Sequence, residues 1–283
     1  MMELMGAPVA KVIAEACEKD IRGLAATGVV PKLAVIRIGE RPDDLAYERG
    51  IGRRFACAGA AVDVVTLQSD VGQEALEQSV LRLGGDRSVH GILLLRPLPS
   101  PLSERRVGGI ISPAKDVDGM SPRNTADVFT GMGGGFPPCT PAAVMELLDF
   151  YGIGLAGQKV TVIGRSAVVG RPLAMLLVAG NATVTLCHTK TANLAEECRR
   201  ADILISCAGK AGLVTEFFVH PRQVVVDVGM NMVDGALCGD VDFDAVKDAV
   251  RAITPVPGGV GGVTTAVLFQ HTVRSAMDVA RGE

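Results

Sequence analysis

Residues 159–178 read KVTVIGRSAVVGRPLAMLLV, and this stretch decides the fold of the C-terminal half of the chain. The β-branched run at 160–163 predicts a buried strand, which Gly164 ends. The leucines that follow Pro172 have helical spacing and predict a helix. A strand that turns through glycine into a helix aims backbone N–H groups and the positive end of the helix at one point. In an α/β sheet, such a point usually binds a nucleotide phosphate.

The turn between this strand and helix has its own spacing. Five residues separate Gly164 from Gly170, so the turn does not match G-x-G-x-x-G. Arg165 and Ser166 lie within the turn, and both can donate hydrogen bonds to phosphate. Because tight glycine turns also occur for packing alone, the next strand has to decide between the two explanations.

The end of that next strand distinguishes NADP from NAD. An NAD-binding fold places a carboxylate there, which binds the ribose 2′-hydroxyl. Here the strand ends in LCHTK (186–190), which contains His, Thr and Lys190 but no carboxylate. Lys190 alone is equally well explained as a solvated loop charge. Together with Arg165 and Ser166 it suits a 2′-phosphate, so the sequence favours NADP.

Composition narrows the class of protein. The 283 residues are long enough for two domains, and the net charge of −3 provides no basic field to attract nucleic acid. No apolar run reaches the length of a membrane span, and residues 1–20 lack the basic-then-apolar layout of a signal peptide. Seven dispersed cysteines without a C-x-x-C pair fit a reducing cytosol better than disulfides or zinc. We therefore expect a cytoplasmic protein that binds neither nucleic acid nor membrane.

The order of predicted elements indicates an α/β fold. Strand and helix patterns alternate in both halves of the chain, which predicts mainly parallel sheets covered by helices. In the first half the predicted helices lie at about 8–26, 44–58 and 73–83, and the strands at 33–38, 62–67 and 91–95. A region dense in glycine and proline, residues 97–141, predicts loops and a crossing between domains. The second half reads as a Rossmann-like unit, and a helix at about 264–280 closes the chain.

Eight segments, in order, resemble the methylenetetrahydrofolate dehydrogenase/cyclohydrolase family over nearly the whole chain. They are GILLLRPLP (91–99), PAKDVDG (113–119), PPCTP (137–141), VIGRSAVVGRP (162–172), VTLCHTKT (184–191), ADILISCAGK (201–210), VVDVGMN (225–231) and ITPVPGGVG (253–261). The last segment is highly specific, as is KDVDG followed by PCTP.

The resemblance implies a role in one-carbon metabolism. The family oxidises 5,10-methylenetetrahydrofolate to the 5,10-methenyl form with NADP, then hydrolyses that product to 10-formyltetrahydrofolate. It implies two domains: a three-layer α/β folate-binding catalytic domain (1–142, completed by 264–283) and an NADP-binding Rossmann domain (143–263). It also implies a homodimer whose other partners are tetrahydrofolate derivatives.

The resemblance also assigns the cofactor-binding residues. It gives Gly164, Arg165 and Ser166 to the NADP phosphates and places Thr189 near the adenosine ribose. Met230 falls where the family's backbone meets the nicotinamide side.

On the folate side, Asp118 matches the carboxylate that grips the pterin ring. This is chemically sensible, because a pterin presents an amino group and a ring N–H side by side and one carboxylate can accept both. Pro257, Gly258 and Gly259 match the loop that closes over folate, and Tyr47 matches the family's stacking tyrosine. Asp118 also lies in a DVDG run that resembles half of a calcium loop, but the other ligands are missing, so no metal is predicted.

Two positions depart from the family at the hydrolytic half of its site. The family's Tyr-x-x-x-Lys becomes Tyr47-Glu-Arg-Gly-Ile51, and its Val-Gln-Leu-Pro-Leu-Pro becomes Leu-Leu95-Arg96-Pro-Leu-Pro. Hydride removal from the methylene carbon moves no proton, whereas hydrolysis needs a general acid/base, which lysine can be and isoleucine cannot. We therefore predict a dehydrogenase whose cyclohydrolase activity is weak or absent.

Three alternatives remain open from the sequence. The first is the full bifunctional enzyme, in which Arg49, Arg53 or an ordered water replaces the lysine. The second is a protein that binds folate or NADP without catalysis. Such a protein would have lost residues that hydride transfer needs. The third is another two-domain NADP dehydrogenase of the shikimate or amino-acid type, although its catalytic Lys–Asp pair cannot be located here.

Overall fold

The computed structural model describes residues 1–282, in which strands and helices alternate along most of the chain. In chain order they are β1 (Met2–Glu3), α1 (Gly6–Ala25), β2 (Lys32–Ile38), α2 (Pro42–Cys57), β3 (Ala61–Leu67), α3 (Gln73–Gly85), β4 (Gly91–Leu94), α4 (Glu104–Ile110), α5 (Pro122–Thr130), α6 (Cys139–Phe150), β5 (Lys159–Ile163), α7 (Gly170–Ala179), β6 (Thr183–Cys187), α8 (Leu194–Arg199), β7 (Ile203–Ser206), β8 (Val224–Asp227), β9 (Asn231–Val233), β10 (Ala236–Cys238), α9 (Phe243–Val246), β11 (Ala252–Ile253) and α10 (Val260–Arg281). Within this part of the chain, no helix combines the length and apolar character that crossing a bilayer requires.

One compact unit comprises Val12–Cys139 and the chain from Thr265 onward. Its sheet has three parallel strands in the order β3-β2-β4. Central β2 is buried along nearly its whole length, and its apolar run 33–36 is typical of a strand covered on both faces. On one face of the sheet, side chains of β2 and β4 pack against α3 and α4. Phe55 of α2 meets Phe269 of α10 edge to face, with ring centroids 4.9 Å apart.

The other compact unit comprises Met1–Lys11 and Thr140–Thr264. Its six parallel strands run in the order β1-β11-β8-β7-β5-β6. Because β5 lies between β6 and β7, the chain changes direction across the sheet after β6, and a switch point results between β5 and β7. Ligands of doubly wound folds bind outside the carboxyl ends of the strands at such a point. The predicted two-domain α/β fold is confirmed.

The unit boundaries differ from those expected from the sequence. Residues 1–11 pack with the Rossmann unit rather than with the first domain, because β1 adds to the edge of its sheet through Met2 and Ala252. The closing helix begins at Val260, four residues before the expected start, and the boundary between the units falls inside it. Two helices, α4 and α5, occupy the region that was predicted as loops.

Candidate active site

The glycine turn after β5 lies at the switch point of the Rossmann sheet. Gly164 has a φ of +122°, and a Cβ there would lie 2.4 Å from the Cys207 carbonyl oxygen in the loop after β7. A Cβ on Gly170 would lie 1.9 Å from the Gly164 carbonyl oxygen. Both positions therefore require glycine, and the turn folds so tightly that the start of α7 approaches the end of β5.

The polar residues of the turn face solvent. Arg165 and Ser166 are exposed, and Ser166 Oγ accepts a hydrogen bond from the Val169 N–H at 3.0 Å. Thr189 and Lys190 are also exposed, just beyond β6. Since β5 and β6 are neighbouring parallel strands, the residues that follow them lie at the same edge of the sheet. The fold thus brings Arg165 and Ser166 to the same edge of the sheet as Thr189 and Lys190.

A buried carboxylate organises the loop after β7, and sequence reasoning missed it. Asp240 accepts hydrogen bonds from the backbone N–H of Ala208 at 2.7 Å and of Lys210 at 2.8 Å. It also accepts from Ser206 Oγ at 2.9 Å and Asn231 Nδ2 at 3.1 Å. A single side chain thereby fixes loops that follow two neighbouring strands.

A second buried carboxylate begins the loop that carries Met230. Asp227 ends β8 and accepts hydrogen bonds from the N–H groups of Gly229 and Val241 at 2.9 and 2.8 Å. Burial raises the pKa of Asp227 to about 6, and the nearby Asp240 adds to the rise. Met230 itself is 72% exposed, as a residue that meets a ligand through its backbone can be.

The Pro257–Gly258–Gly259 loop packs against the start of the chain. The Gly6 N–H donates to the Gly258 carbonyl at 2.8 Å, and Gly258 has a φ of +113°. A Cβ on Gly259 would lie 2.6 Å from the Pro255 carbonyl oxygen. The sequence led us to expect glycines for close approach to a ligand, and the structure adds an internal packing reason for two of them.

Asp118 lies in the other unit, in a network of charged and backbone groups. Its Oδ2 accepts from Arg96 Nη2 at 2.6 Å, and its Oδ1 accepts from the Cys139 N–H at 3.3 Å. The preceding Val117 carbonyl accepts from His271 Nδ1 at 2.9 Å and from Cys139 Sγ at 3.2 Å. Helix α10 therefore helps to fix the backbone that presents Asp118.

Tyr47 of α2 lies within electrostatic reach of Asp118 and Cys139. Burial raises the pKa of its hydroxyl well above the ordinary value, with smaller contributions from Cys139 and Asp118 and an opposing hydrogen bond with Thr265. Tyr47 is therefore protonated at neutral pH. Four residues further along α2, Ile51 is fully buried, and Leu95, just after β4, is 6% exposed. Both positions are thus occupied by apolar residues of the core.

We predict a pH-dependent contribution of His271 to stability. Burial lowers the pKa of His271 to about 4 from 6.5, so the unfolded chain takes up this proton first as the pH falls. Because of this histidine, the free energy of unfolding is expected to fall by about 2 kcal/mol from pH 7 to pH 5. Asn offers Nδ2 near the place of Nδ1, so urea unfolding of His271→Asn should show a shallower loss over this range. Equal losses in the two proteins would contradict the assignment.

A switch-point glycine turn, together with a second α/β unit that carries a cluster of polar groups around Asp118, defines a two-domain, dinucleotide-dependent enzyme. Residues 4–118 match the model of the tetrahydrofolate dehydrogenase/cyclohydrolase catalytic domain, and residues 138–280 match the NAD(P)-binding domain of the same family. The chain belongs to the tetrahydrofolate dehydrogenase/cyclohydrolase family of enzymes. This membership removes the shikimate-type and amino-acid-type alternatives.

Individual relatives agree with this assignment. The chain is 48% identical over 275 residues to the bifunctional protein FolD of Carboxydothermus hydrogenoformans, covering 96% of each chain. The crystal structure of FolD from Campylobacter jejuni superimposes with a TM-score of 0.96 at 38% identity, covering 99% of each chain. The Trypanosoma brucei enzyme, solved with NADP cofactor and an inhibitor, gives 0.94 at 35% identity and covers 99% of each chain.

Proposed function

We propose that this protein oxidises 5,10-methylenetetrahydrofolate to 5,10-methenyltetrahydrofolate with NADP, as a cytoplasmic homodimer, and hydrolyses the product weakly or not at all. The observation that carries the proposal is the contrast around Tyr47. Tyr47 lies within electrostatic reach of Asp118, whereas the positions of the family's lysine and glutamine, Ile51 and Leu95, are apolar and buried.

The residues at the Rossmann switch point fit NADP. The space that a Gly170 side chain would take is filled by the Gly164 carbonyl, so the turn closes tightly just before α7. The first backbone N–H groups of α7 are then the donors that a phosphate would meet. In this proposal Gly164, Arg165 and Ser166 hold the phosphates. Two further groups complete the binding site: Thr189 and Lys190 at the adenosine ribose, and the Met230 backbone on the nicotinamide side.

The chemistry needs little from the protein beyond orientation. Bound NADP supplies the acceptor for the hydride that leaves the methylene carbon. Asp118 would accept hydrogen bonds from the 2-amino group and from N3–H of the pterin, and Tyr47 would stack on the ring. The loop Pro257–Gly259 would close over the folate. Since no proton moves in this step, fixed geometry suffices.

Hydrolysis has different needs, because water must lose a proton and a ring nitrogen must gain one. Ile51 and Leu95 carry no proton. Arg54 also lies on α2 and is half-buried, and burial lowers its pKa, but a guanidinium remains a poor proton carrier near neutral pH. Tyr47 holds its proton too firmly to act as a base.

An assay that separates the two half-reactions tests the proposal. NADPH formation from methylenetetrahydrofolate is followed at its own wavelength, and decay of added methenyltetrahydrofolate is followed with and without enzyme. We expect NADPH formation and a decay rate close to the uncatalysed one. The names of the relatives favour the alternative of a full bifunctional enzyme, and enzyme-dependent decay as fast as NADPH formation would establish that alternative instead.

The preference for NADP gives a second prediction. Because Lys190 is assigned to the 2′-phosphate, Lys190→Ala should weaken NADP binding about tenfold and leave NAD binding nearly unchanged. Lys159→Ala is the matched control, since Lys159 is an exposed lysine at the start of β5. Lys190 follows the end of the neighbouring parallel strand β6, so the two lysines lie at opposite edges of the sheet. Calorimetric titration with both nucleotides measures the effect. Equal affinity of the unaltered protein for NADP and NAD would refute the assignment.

A further inference from the structure

Arg96 places a charge beside Asp118, at a position where the family has leucine. Its Nη2 donates to Asp118 Oδ2 at 2.6 Å, and the two side chains are only 16% and 21% exposed. A pair removed this far from water needs good geometry and further hydrogen bonds to offset its desolvation. The position of Arg96 therefore raises the question of what its remaining N–H groups bind.

The pair retains hydrogen-bonding capacity on both sides. An ionised carboxylate offers about four acceptor sites, and the contacts from Arg96 and from the Cys139 N–H account for one on each oxygen of Asp118. A guanidinium carries five N–H donors in a rigid plane, of which one is directed at Asp118. The pair can thus present two acceptors and, beside them, a donor.

A pterin has the complementary pattern on one edge of its ring. The 2-amino group and N3–H are adjacent donors, and the 4-carbonyl next to them is an acceptor. In the proposed function, Asp118 accepts hydrogen bonds from both donors. The 4-carbonyl then has no assigned partner.

We propose that Arg96 binds the 4-carbonyl oxygen of the pterin and makes the site around Asp118 selective for pteridines with an oxygen acceptor at position 4. The inference rests on the proposed function, because it takes Asp118 as the pterin-binding carboxylate. The neighbouring Leu95 and Ile51 of α2 are apolar and buried. Arg96 carries a positive charge beside Asp118, and its guanidinium acts there as a fixed hydrogen-bond donor and not as a proton carrier.

A purely structural ion pair predicts something different. If Arg96 only held Asp118 in place, its loss would weaken to the same degree all pteridines that keep the 2-amino group and N3–H. If Arg96 binds the carbonyl, its loss weakens 4-oxo ligands more than 4-thioxo ligands, because sulfur is the weaker hydrogen-bond acceptor. The ratio of the two affinities separates these roles.

The experiment uses 5,10-dideazatetrahydrofolate and its 4-thioxo counterpart, which both keep the 2-amino group and N3–H and differ only in the acceptor atom at position 4. Titration calorimetry gives both dissociation constants for the unaltered protein and for Arg96→Leu, Arg96→Lys and Arg105→Leu. We expect Arg96→Leu to lower the 4-oxo preference about tenfold, and Arg96→Lys to lower it less because one donor remains. Arg105, an exposed residue of α4, is the matched control and should leave the ratio unchanged.

The outcomes distinguish the two proposals. Both pteridines weakened equally by Arg96→Leu, with NADPH formation present in the unaltered protein, would overturn the role of Arg96 and leave the proposed function standing. Absence of both pteridine binding and NADPH formation in the unaltered protein would overturn the proposed function, and the role of Arg96 with it.

Discussion

Replacing Ile51 by Lys and Leu95 by Gln together should raise the enzyme-dependent hydrolysis of methenyltetrahydrofolate by about 10²–10⁴-fold, the usual contribution of a general acid/base. Ile51 is fully buried one helical turn from Tyr47, so an amine there would be desolvated and its pKa would fall toward neutrality. That shift suits proton transfer at physiological pH. The dehydrogenase rate should change only a few-fold, since hydride transfer moves no proton.

The control for this variant is Ile51→Met with Leu95→Gln, which adds chain length without an amine. It should leave hydrolysis at the level of the unaltered protein. Circular dichroism and NADPH formation show whether the double variant still folds, because a buried lysine costs stability. A folded Lys/Gln variant with normal NADPH formation and no gain in hydrolysis would show that Ile51 and Leu95 do not account for the proposed loss of cyclohydrolase activity.

Gly170→Ala should raise the dissociation constant for NADP on the order of 10²-fold. The added Cβ would lie 1.9 Å from the Gly164 carbonyl oxygen, so the start of α7 or the turn must move by about an ångström, and displacements of this size cost about that factor at a binding site. The measurement is NADP titration. Pteridine binding should stay within a few-fold, because Asp118 and Tyr47 belong to the other compact unit.

The matched control is Gly154→Ala, in the same unit. A Cβ at Gly154 meets no atom within 4 Å, so this variant should bind NADP normally. Equal NADP affinity of Gly170→Ala and Gly154→Ala would mean that the glycine turn does not form the phosphate site.

The sequence predicted the long elements well and the short ones poorly. Strands β2 and β5 have β-branched apolar runs, and their positions follow from that pattern alone. Helix α5 was missed although Ser121 caps it, Pro122 begins it and Gly131 ends it with a φ of +66°. The surrounding glycine and proline density concealed these signals. Strands β1 and β11 have two residues each, so they show no periodicity, and only tertiary pairing reveals them.

For the candidate site, the sequence indicated which residues matter but not what they contact. Asp118 and Tyr47 followed from the resemblance, whereas Arg96 was noticed only as part of an altered segment. Its partner lies 22 positions away, and the His271 contact with Val117 joins residues 154 positions apart. Asp240 carried no motif signal at all, since its role depends on loops from different strands meeting at one carboxylate. Contacts of this kind are set by topology, which a single sequence does not display.

The division of the closing helix between two units has a consequence for protein synthesis. A ribosome finishes residues 12–139 long before it reaches Thr265, yet this unit draws Phe269 and His271 from the last helix. While the intervening Rossmann segment is being translated, the nascent folate-binding unit lacks the ring that covers Phe55 and the imidazole that anchors Val117. The earlier-made unit should therefore mature last, and ribosome-bound chains that stop before α10 should be cut by protease within residues 12–139.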